Sequence, residues 1–138
     1  MYRDIIHDLI QWKNRRNRKP LLLTGVRQCG KTYIVKEFGR DNFKNVAYVN
    51  FEESENAGAI FDYDFDVKRI IQELGYHTGE KIIPGETILF LDEIQNCSRA
   101  ITALKYFAEN MKELHVVCAG SLLGVAIKKD RISFPVGK

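Results

Sequence analysis

The sequence has 138 residues, of which 45% are apolar and 28% are charged, and its formal net charge is +3. These values are ordinary for one globular domain with a core of its own. No apolar run approaches the roughly 18 residues of a membrane helix, and "MYRDIIHDLI" lacks the continuous apolar stretch of a signal peptide, so we expect a cytoplasmic protein with no membrane partner. The three cysteines, Cys29, Cys97 and Cys118, form no CxxC pair, which argues against a zinc site or a disulfide framework.

The first half of the chain alternates helical and strand patterns. Apolar residues at helical spacing predict an N-terminal helix, and Pro20 then prevents this helix from continuing and opens a strand. Gly39 is expected to end the second helix. The predicted elements are a helix over 2–14, a strand over 21–24, a helix over 31–39, a strand over 45–51 and an irregular acidic segment over 52–64.

The second half continues the alternation. Val67, Ile70, Ile71 and Leu74 follow the i, i+3, i+4, i+7 pattern of a helix, and Gly75 is expected to cap it. The apolar runs in "TILFLDE" and "HVVCAGS" are typical of strands that are buried on both faces. The predicted elements are a helix over 66–74, a strand over 87–93, an amphipathic helix over 101–111, a strand over 115–121, a short helix over 122–129 and the start of a fifth strand over 131–137.

Strands that alternate with helices predict an α/β fold, in which a parallel sheet carries helices on both faces. We expect one domain over 1–138, with the N-terminal helix over 2–14 and a core over 20–138. The fifth strand is cut short at "SFPVGK". We therefore expect a fold that is truncated or one that continues in another domain.

A glycine-rich turn between the first strand and the second helix matches the phosphate-loop pattern G-x-x-x-x-G-K-[ST]. Its glycines let successive N–H groups point inward around an anion, and the helix that follows directs its positive end to the same place. The alternative is a chance match, but the strand before it and the amphipathic helix after it are the context that phosphate binding requires. The residues expected to bind nucleotide are Gly25, Val26, Arg27, Gln28, Cys29, Gly30, Lys31 and Thr32.

The buried strand "TILFLDE" ends in two acids, Asp92 and Glu93, at the edge of the sheet where phosphate would lie. Lys31 would contact the β- and γ-phosphates, and Thr32 and Asp92 would bind Mg²⁺, Asp92 through water. Glu93 would polarise the attacking water as a general base. The alternative for this pair is a helix N-cap followed by an acid in the first turn. We favour the catalytic interpretation because a complete phosphate loop precedes it.

Two further polar residues follow predicted strands. Ser121 would hydrogen-bond the γ-phosphate or the attacking water, or else cap the helix predicted over 122–129. Asn50 would restrain Glu93, or else satisfy a turn. The sequence leaves both pairs of alternatives open.

The basic stretch "KNRRNRK" over 13–19 admits two interpretations. It would contact nucleic acid phosphates, or it is a solvated helix end in which cations suit the helix dipole. DNA therefore stays among the candidate partners.

The motifs "GVRQCGKT", "VNFEE", "LFLDEIQ" and "CAGSLLG", in this order, resemble the prokaryotic AAA-like P-loop ATPases, which are similar to the archaeal ATPases and the STAND NTPases. The resemblance spans nearly the whole chain, and it implies an N-terminal ATPase domain whose C-terminal domain is missing from this chain. It implies that Gly25 to Thr32 form the nucleotide loop, that Asp92 and Glu93 serve metal and water, and that Ser121 is a sensor. It also implies the strand order 5-1-4-3-2, with strands numbered along the chain.

The resemblance and the motifs together predict an ATPase module that uses ATP and Mg²⁺ and couples hydrolysis to motion of a partner domain or subunit, homo-oligomers included. The alternative is a nucleotide-gated switch that recruits DNA or protein and hydrolyses little itself. A small kinase is a weaker alternative, because its phosphate lid needs arginines and "KKDR" over 128–131 is the local candidate. The sequence carries no N/TKxD motif that would support guanine specificity.

Overall fold

The computed structural model describes residues 2–15, 18–24, 30–120 and 136–137. Helices and strands alternate along the chain, as the sequence predicts. The elements are α1 Tyr2–Lys13, β1 Leu21–Thr24, α2 Lys31–Asn42, β2 Asn45–Asn50, α3 Glu55–Ala59, α4 Val67–Thr78, β3 Thr87–Asp92, a 3₁₀ turn Ile94–Asn96, α5 Ser98–Asn110, β4 His115–Gly120 and β5 Val136–Gly137.

The strands form one sheet in the order β2-β3-β4-β1-β5. Read from the other edge, this is the order 5-1-4-3-2 that the family resemblance implies. Each strand pair that the structure describes is parallel, so the carboxyl ends of the strands meet at one edge of the sheet. Thr24 lies beside Gly120 there, and Asn50 lies beside Asp92. None of the described helices is long and apolar enough to cross a membrane.

Alternation along the strands divides the core between the two faces of the sheet. In β3, Leu89 and Leu91 pack with α4 and α5 on one face, whereas Ile88 and Phe90 pack with α1 and α2 on the other. The same alternation directs Asp92 to the α2 face of the sheet. The fold is therefore a three-layer α/β arrangement, and the polar end of β3 faces the helix that follows the predicted phosphate loop.

Two predicted helix ends are wrong, and the structure gives the reason for each. Helix α2 continues to Asn42 with Gly39 inside it, and the lack of a side chain there permits close packing, since a Cβ would lie 2.5 Å from Val46 Cγ2. Helix α4 continues past Gly75 to Thr78, and Gly79 caps it in the left-handed conformation, with φ of 73°. In α2, the glycine therefore indicates close packing against the sheet. In α4, the capping glycine is Gly79, four residues after the predicted one.

Three other segments differ from prediction or lie wholly or partly outside the described residues. The acidic segment over 52–64, expected to be irregular, contains the short helix Glu55–Ala59. The helix predicted over 122–129 lies outside the described residues. Of the strand predicted over 131–137, the structure describes Val136–Gly137, which pair with Leu22 and Leu23 of β1.

Replacing Gly39 with alanine is expected to destabilise the fold by about 1–3 kcal/mol, because the added methyl group must displace the β-branched side chains of Val46 and Ile88. Urea denaturation measures this change in the free energy of unfolding. Gly58→Ala is the matched control, since the nearest heavy atom to its new Cβ is Cys97 Sγ at 3.8 Å. Equal stability of the two variants would contradict the close approach of α2 to the sheet.

His115 is the first residue of β4 and therefore lies at the amino ends of the parallel strands, opposite the end where Thr32 and Asp92 meet. Its ring packs edge-on against Trp12, with centroids 5.4 Å apart, and against Phe43, at 4.8 Å. Burial, followed by the charges of Arg18 and Lys13, lowers the pKa of His115 from 6.5 to about 4. Among the described residues, Nδ1 has no hydrogen-bond partner. The folded protein therefore holds this imidazole neutral at pH values where the unfolded chain protonates it.

We expect the fold to lose stability as the pH falls from 6.5 towards 4, because across this window the unfolded state binds a proton at His115 that the folded state does not. His115→Phe, which retains an aromatic ring, should flatten this part of the curve of melting temperature against pH. His7→Gln changes an exposed histidine and serves as the control. If His115→Phe leaves the slope unchanged, another group is responsible for the pH dependence.

Candidate functional site

The predicted phosphate loop joins β1, which ends at Thr24, to α2, which begins at Lys31. Gly30 precedes the helix with φ of 79° and ψ of 7°, a left-handed conformation that glycine adopts without steric cost. The first N–H groups of this 12-residue helix and its dipole form a favourable environment for an anion. Lys31 and Thr32, both partly exposed, are its first residues. Gly25, Val26, Arg27, Gln28 and Cys29 lie outside the described residues.

Asp92 ends β3 with 6% of its surface exposed and lies within reach of the helix α2. Its Oδ2 atom accepts a hydrogen bond of 2.7 Å from the hydroxyl of Thr32, which is 60 residues earlier in the chain. Its Oδ1 atom accepts the backbone N–H of Glu93 at 2.9 Å. The fold therefore brings together the two residues for which the sequence predicts metal binding.

Tyr48 is a member of this site that the sequence analysis missed. Its hydroxyl donates to Asp92 Oδ2 at 2.7 Å and accepts from Asn50 Nδ2 at 3.1 Å. Burial and the bond to the Asp92 carboxylate raise the pKa of Tyr48, which keeps the hydroxyl protonated and able to donate. A signal existed in the sequence: Tyr48 is two residues before Asn50, so both lie on one face of a strand that neighbours β3.

Asn50 satisfies a turn, one of the two roles considered for it. Its Oδ1 atom accepts the backbone N–H groups of Glu52 at 2.8 Å and Glu53 at 3.1 Å, while its amide donates to Tyr48. The side chain thus fixes the chain as it leaves β2. The same residue connects that turn to Tyr48 and, through Tyr48, to Asp92.

Glu93 has a backbone conformation that is rare outside glycine, with φ of 54° and ψ of 44°. Such a conformation costs on the order of 1–3 kcal/mol and persists where the surrounding structure enforces it. The flanking backbone is held by two hydrogen bonds, from Phe51 N to Asp92 O at 3.0 Å and from Asn96 N to Glu93 O at 3.1 Å. The carboxylate of Glu93 accepts Gln95 Nε2 at 2.8 Å. The sequence motifs assign no role to Gln95.

Ser121, the predicted sensor, lies outside the described residues. It directly follows β4, whose last residue, Gly120, lies beside Thr24 at the end of β1. The sequence-predicted site residues that the structure does describe here are Gly30, Lys31, Thr32, Asp92 and Glu93. Gly30, Lys31 and Thr32 are consecutive, Thr32 donates a hydrogen bond to Asp92, and Glu93 follows Asp92 in the chain.

The oxygen donors of Thr32 and Asp92 fit a magnesium ion. The described residues contain no cluster of three or more histidine, cysteine or acidic side chains that could form an all-protein cage. Mg²⁺ commonly binds to one or two protein oxygens and completes its shell with phosphate oxygens and water. The Thr32 hydroxyl and the Asp92 carboxylate, 2.7 Å apart, are oxygen ligands of that kind.

A family model for the AAA domain matches residues 17–137. The chain belongs to this family. The match covers the described strands, the phosphate-loop sequence and both acids at the end of β3. Membership in the AAA family identifies the chain as a nucleotide-binding ATPase module. It agrees with the family resemblance of the sequence motifs. No curated protein matches the chain.

Comparison with solved structures shows that this AAA domain shares its fold with part of a larger protein. The structure of PCH-2 from C. elegans superposes with a TM-score of 0.52 and 14% sequence identity. The alignment covers 99% of this chain and 41% of that chain. This AAA domain therefore spans about two-fifths of the length of that relative, and at this identity the comparison bears on the fold alone.

Proposed function

We propose that this AAA domain binds ATP with Mg²⁺ at the carboxyl edge of its sheet and hydrolyses it, and that hydrolysis moves a neighbouring domain or subunit. The observation that carries the proposal is the 2.7 Å hydrogen bond between the Thr32 hydroxyl and Asp92. It unites the last residue of the phosphate-loop motif with the acid at the end of the buried strand. Phosphoryl transfer requires both groups at one place, because its catalysis consists mainly of positioning and charge stabilisation.

The phosphates would lie over the N-terminus of α2. Gly25 to Gly30 would supply inward-pointing N–H groups, and Lys31 would add a positive charge beside the β- and γ-phosphates. Gly30, in its left-handed conformation, supports this assignment because it turns the chain into the helix. The order of these residues follows the phosphate-loop motif without a gap.

Thr32 and Asp92 would hold the magnesium ion, which, when bound, neutralises negative charge on the phosphates. Asp92 is well suited to this role because its backbone is fixed at the end of a buried strand. Its carboxylate keeps a defined orientation through Thr32, Tyr48 and the Glu93 N–H. Such bonds favour a single arrangement of ligand oxygens.

Glu93 would accept a proton from the attacking water as general base. Its backbone takes the left-handed conformation, with φ of 54°, directly after the strand that ends at Asp92. Gln95 would hold the carboxylate before nucleotide arrives. Ser121, after β4, would contact the γ-phosphate or the water.

A second function rests on the bond between Glu93 and Gln95. If Gln95 keeps the carboxylate away from the water, the domain would act as a nucleotide-gated switch that recruits protein or DNA and hydrolyses ATP slowly. The two functions differ in turnover and agree in nucleotide binding. Measurement of both quantities therefore separates them.

Lys31→Ala is expected to weaken ATP binding about 10- to 150-fold, since a hydrogen bond to a charged group contributes roughly 1.5–3 kcal/mol. Titration of a fluorescent ATP analogue measures the loss. Lys68→Ala removes an exposed lysine of α4 and controls for the change in net charge. Unchanged affinity in a folded Lys31→Ala protein would refute the phosphate-loop assignment.

Glu93→Gln should reduce phosphate release by roughly 10²- to 10⁴-fold while ATP affinity stays near that of the wild type, because the amide retains the shape of the side chain but cannot accept a proton. Phosphate release and analogue binding are measured on the same preparations. Asp92→Asn should instead weaken the Mg²⁺-dependent part of binding. Wild-type turnover in Glu93→Gln would remove Glu93 as the base and favour the switch.

A further inference from the structure

We infer that Tyr48 is a positioning residue for the metal-binding carboxylate, which its phenol hydroxyl holds in the orientation that faces Thr32. The inference rests on the proposed function, since it assigns a role toward the metal that Thr32 and Asp92 would bind. It concerns Tyr48 of β2, a residue to which the sequence motifs assign no role. It predicts that removal of a single hydroxyl changes how much Mg²⁺ the domain needs.

The carboxylate of Asp92 has both oxygens engaged. Tyr48 and Thr32 each donate to Oδ2 at 2.7 Å, and the Glu93 N–H occupies Oδ1 at 2.9 Å. Rotation about the bond that carries the carboxylate would break these contacts at a site where Asp92 is 6% exposed and water is a poor substitute. Thr32 is itself a proposed metal ligand, whereas Tyr48 is not. The role of Tyr48 toward Asp92 is therefore to orient the carboxylate.

The tyrosine ring is held in place from three directions. It packs against Phe90 with ring centroids 5.2 Å apart, and Phe90 is its partner across the β2–β3 register. Lys36 Nζ lies 3.7 Å from the ring centroid on the side of α2, one helical turn after Thr32. Asn50 donates to the hydroxyl at 3.1 Å. The donor atom is thus fixed by two strands and a helix, which are more rigid supports than a loop.

A fixed donor behind a metal-binding carboxylate has a known magnitude of effect. Partners that orient a metal ligand typically change metal affinity by 10- to 100-fold when they are removed. The contact with Lys36 adds to the argument, because a cation over the ring face stabilises the ring in the position from which its hydroxyl reaches Asp92. Tyr48 therefore connects α2, β2 and β3 at the point where the metal would lie.

The test is Tyr48→Phe, which keeps the ring and its contacts with Phe90 and Lys36 and removes the hydroxyl alone. Binding of a fluorescent ATP analogue is measured over a series of Mg²⁺ concentrations and again in EDTA. We expect the Mg²⁺ concentration for half-maximal enhancement of binding to rise 10- to 100-fold, while affinity in EDTA stays within about twofold of the wild type. Tyr106→Phe, in a ring stacked on Phe65 at 4.9 Å on the opposite face of the sheet, is the matched control.

The outcomes separate this inference from the proposed function. An unchanged or lower Mg²⁺ requirement in Tyr48→Phe overturns the inference, and so does an equal loss of affinity in EDTA, which would indicate a structural role. If Asp92→Asn shifts the Mg²⁺ dependence while Tyr48→Phe does not, the inference fails and the metal site stands. If wild-type binding shows no Mg²⁺ dependence, the proposed function fails and the inference falls with it. Melting temperatures without nucleotide confirm that each variant is folded.

Discussion

Burial of β3 on both faces is the constraint on which the rest of the structure depends. All six residues from Thr87 to Asp92 are buried, with β2 on one side and β4 on the other. A polar residue at either end of such a strand must find its partners inside the protein, because water does not reach it. Thr87 does so through Asn45 at 2.6 Å, and Asp92 does so through three donors. The hydrogen-bonded group around Asp92 is thus a requirement of folding as well as a candidate site.

The two faces of the sheet have different surroundings, because successive side chains along each strand point to opposite faces. Leu89 and Leu91 help to form an apolar layer under α4 and α5. On the other face, Ile88 and Phe90 lead toward Asp92, and Tyr48 leads toward Asn50, so each strand passes from apolar packing to polar contacts as it reaches the carboxyl edge. The site therefore lies directly on the core and takes its rigidity from it.

Motif and periodicity predicted a parallel sheet and the meeting of Thr32 with Asp92, because these follow from strand burial and from the fixed direction of parallel strands, whereas the strand order was implied by the family resemblance. The sequence patterns gave a wrong or incomplete prediction where one type of residue can serve more than one structural role. Gly39 and Gly75 were expected to end helices, yet one permits close packing and the other lies within α4. Tyr48 was overlooked because an aromatic residue in a strand is ordinarily a packing residue, and its hydroxyl acquires a partner only when β2 and β3 come into register.

The close approach at Gly39 also determines the height of α2 above the sheet. Thr32 and Gly39 are seven residues, or nearly two turns, apart, so they lie on the same side of the helix and about 10 Å from each other along its axis. The contact of Gly39 with Val46 and Ile88 fixes one point of this rod, and the hydrogen bond from Thr32 to Asp92 fixes a second. Two fixed points on a stiff helix leave little freedom to tilt. The distance between the first turn of α2 and the end of β3 is consequently set partly by a residue that has no side chain and lies nearly two helical turns from Thr32.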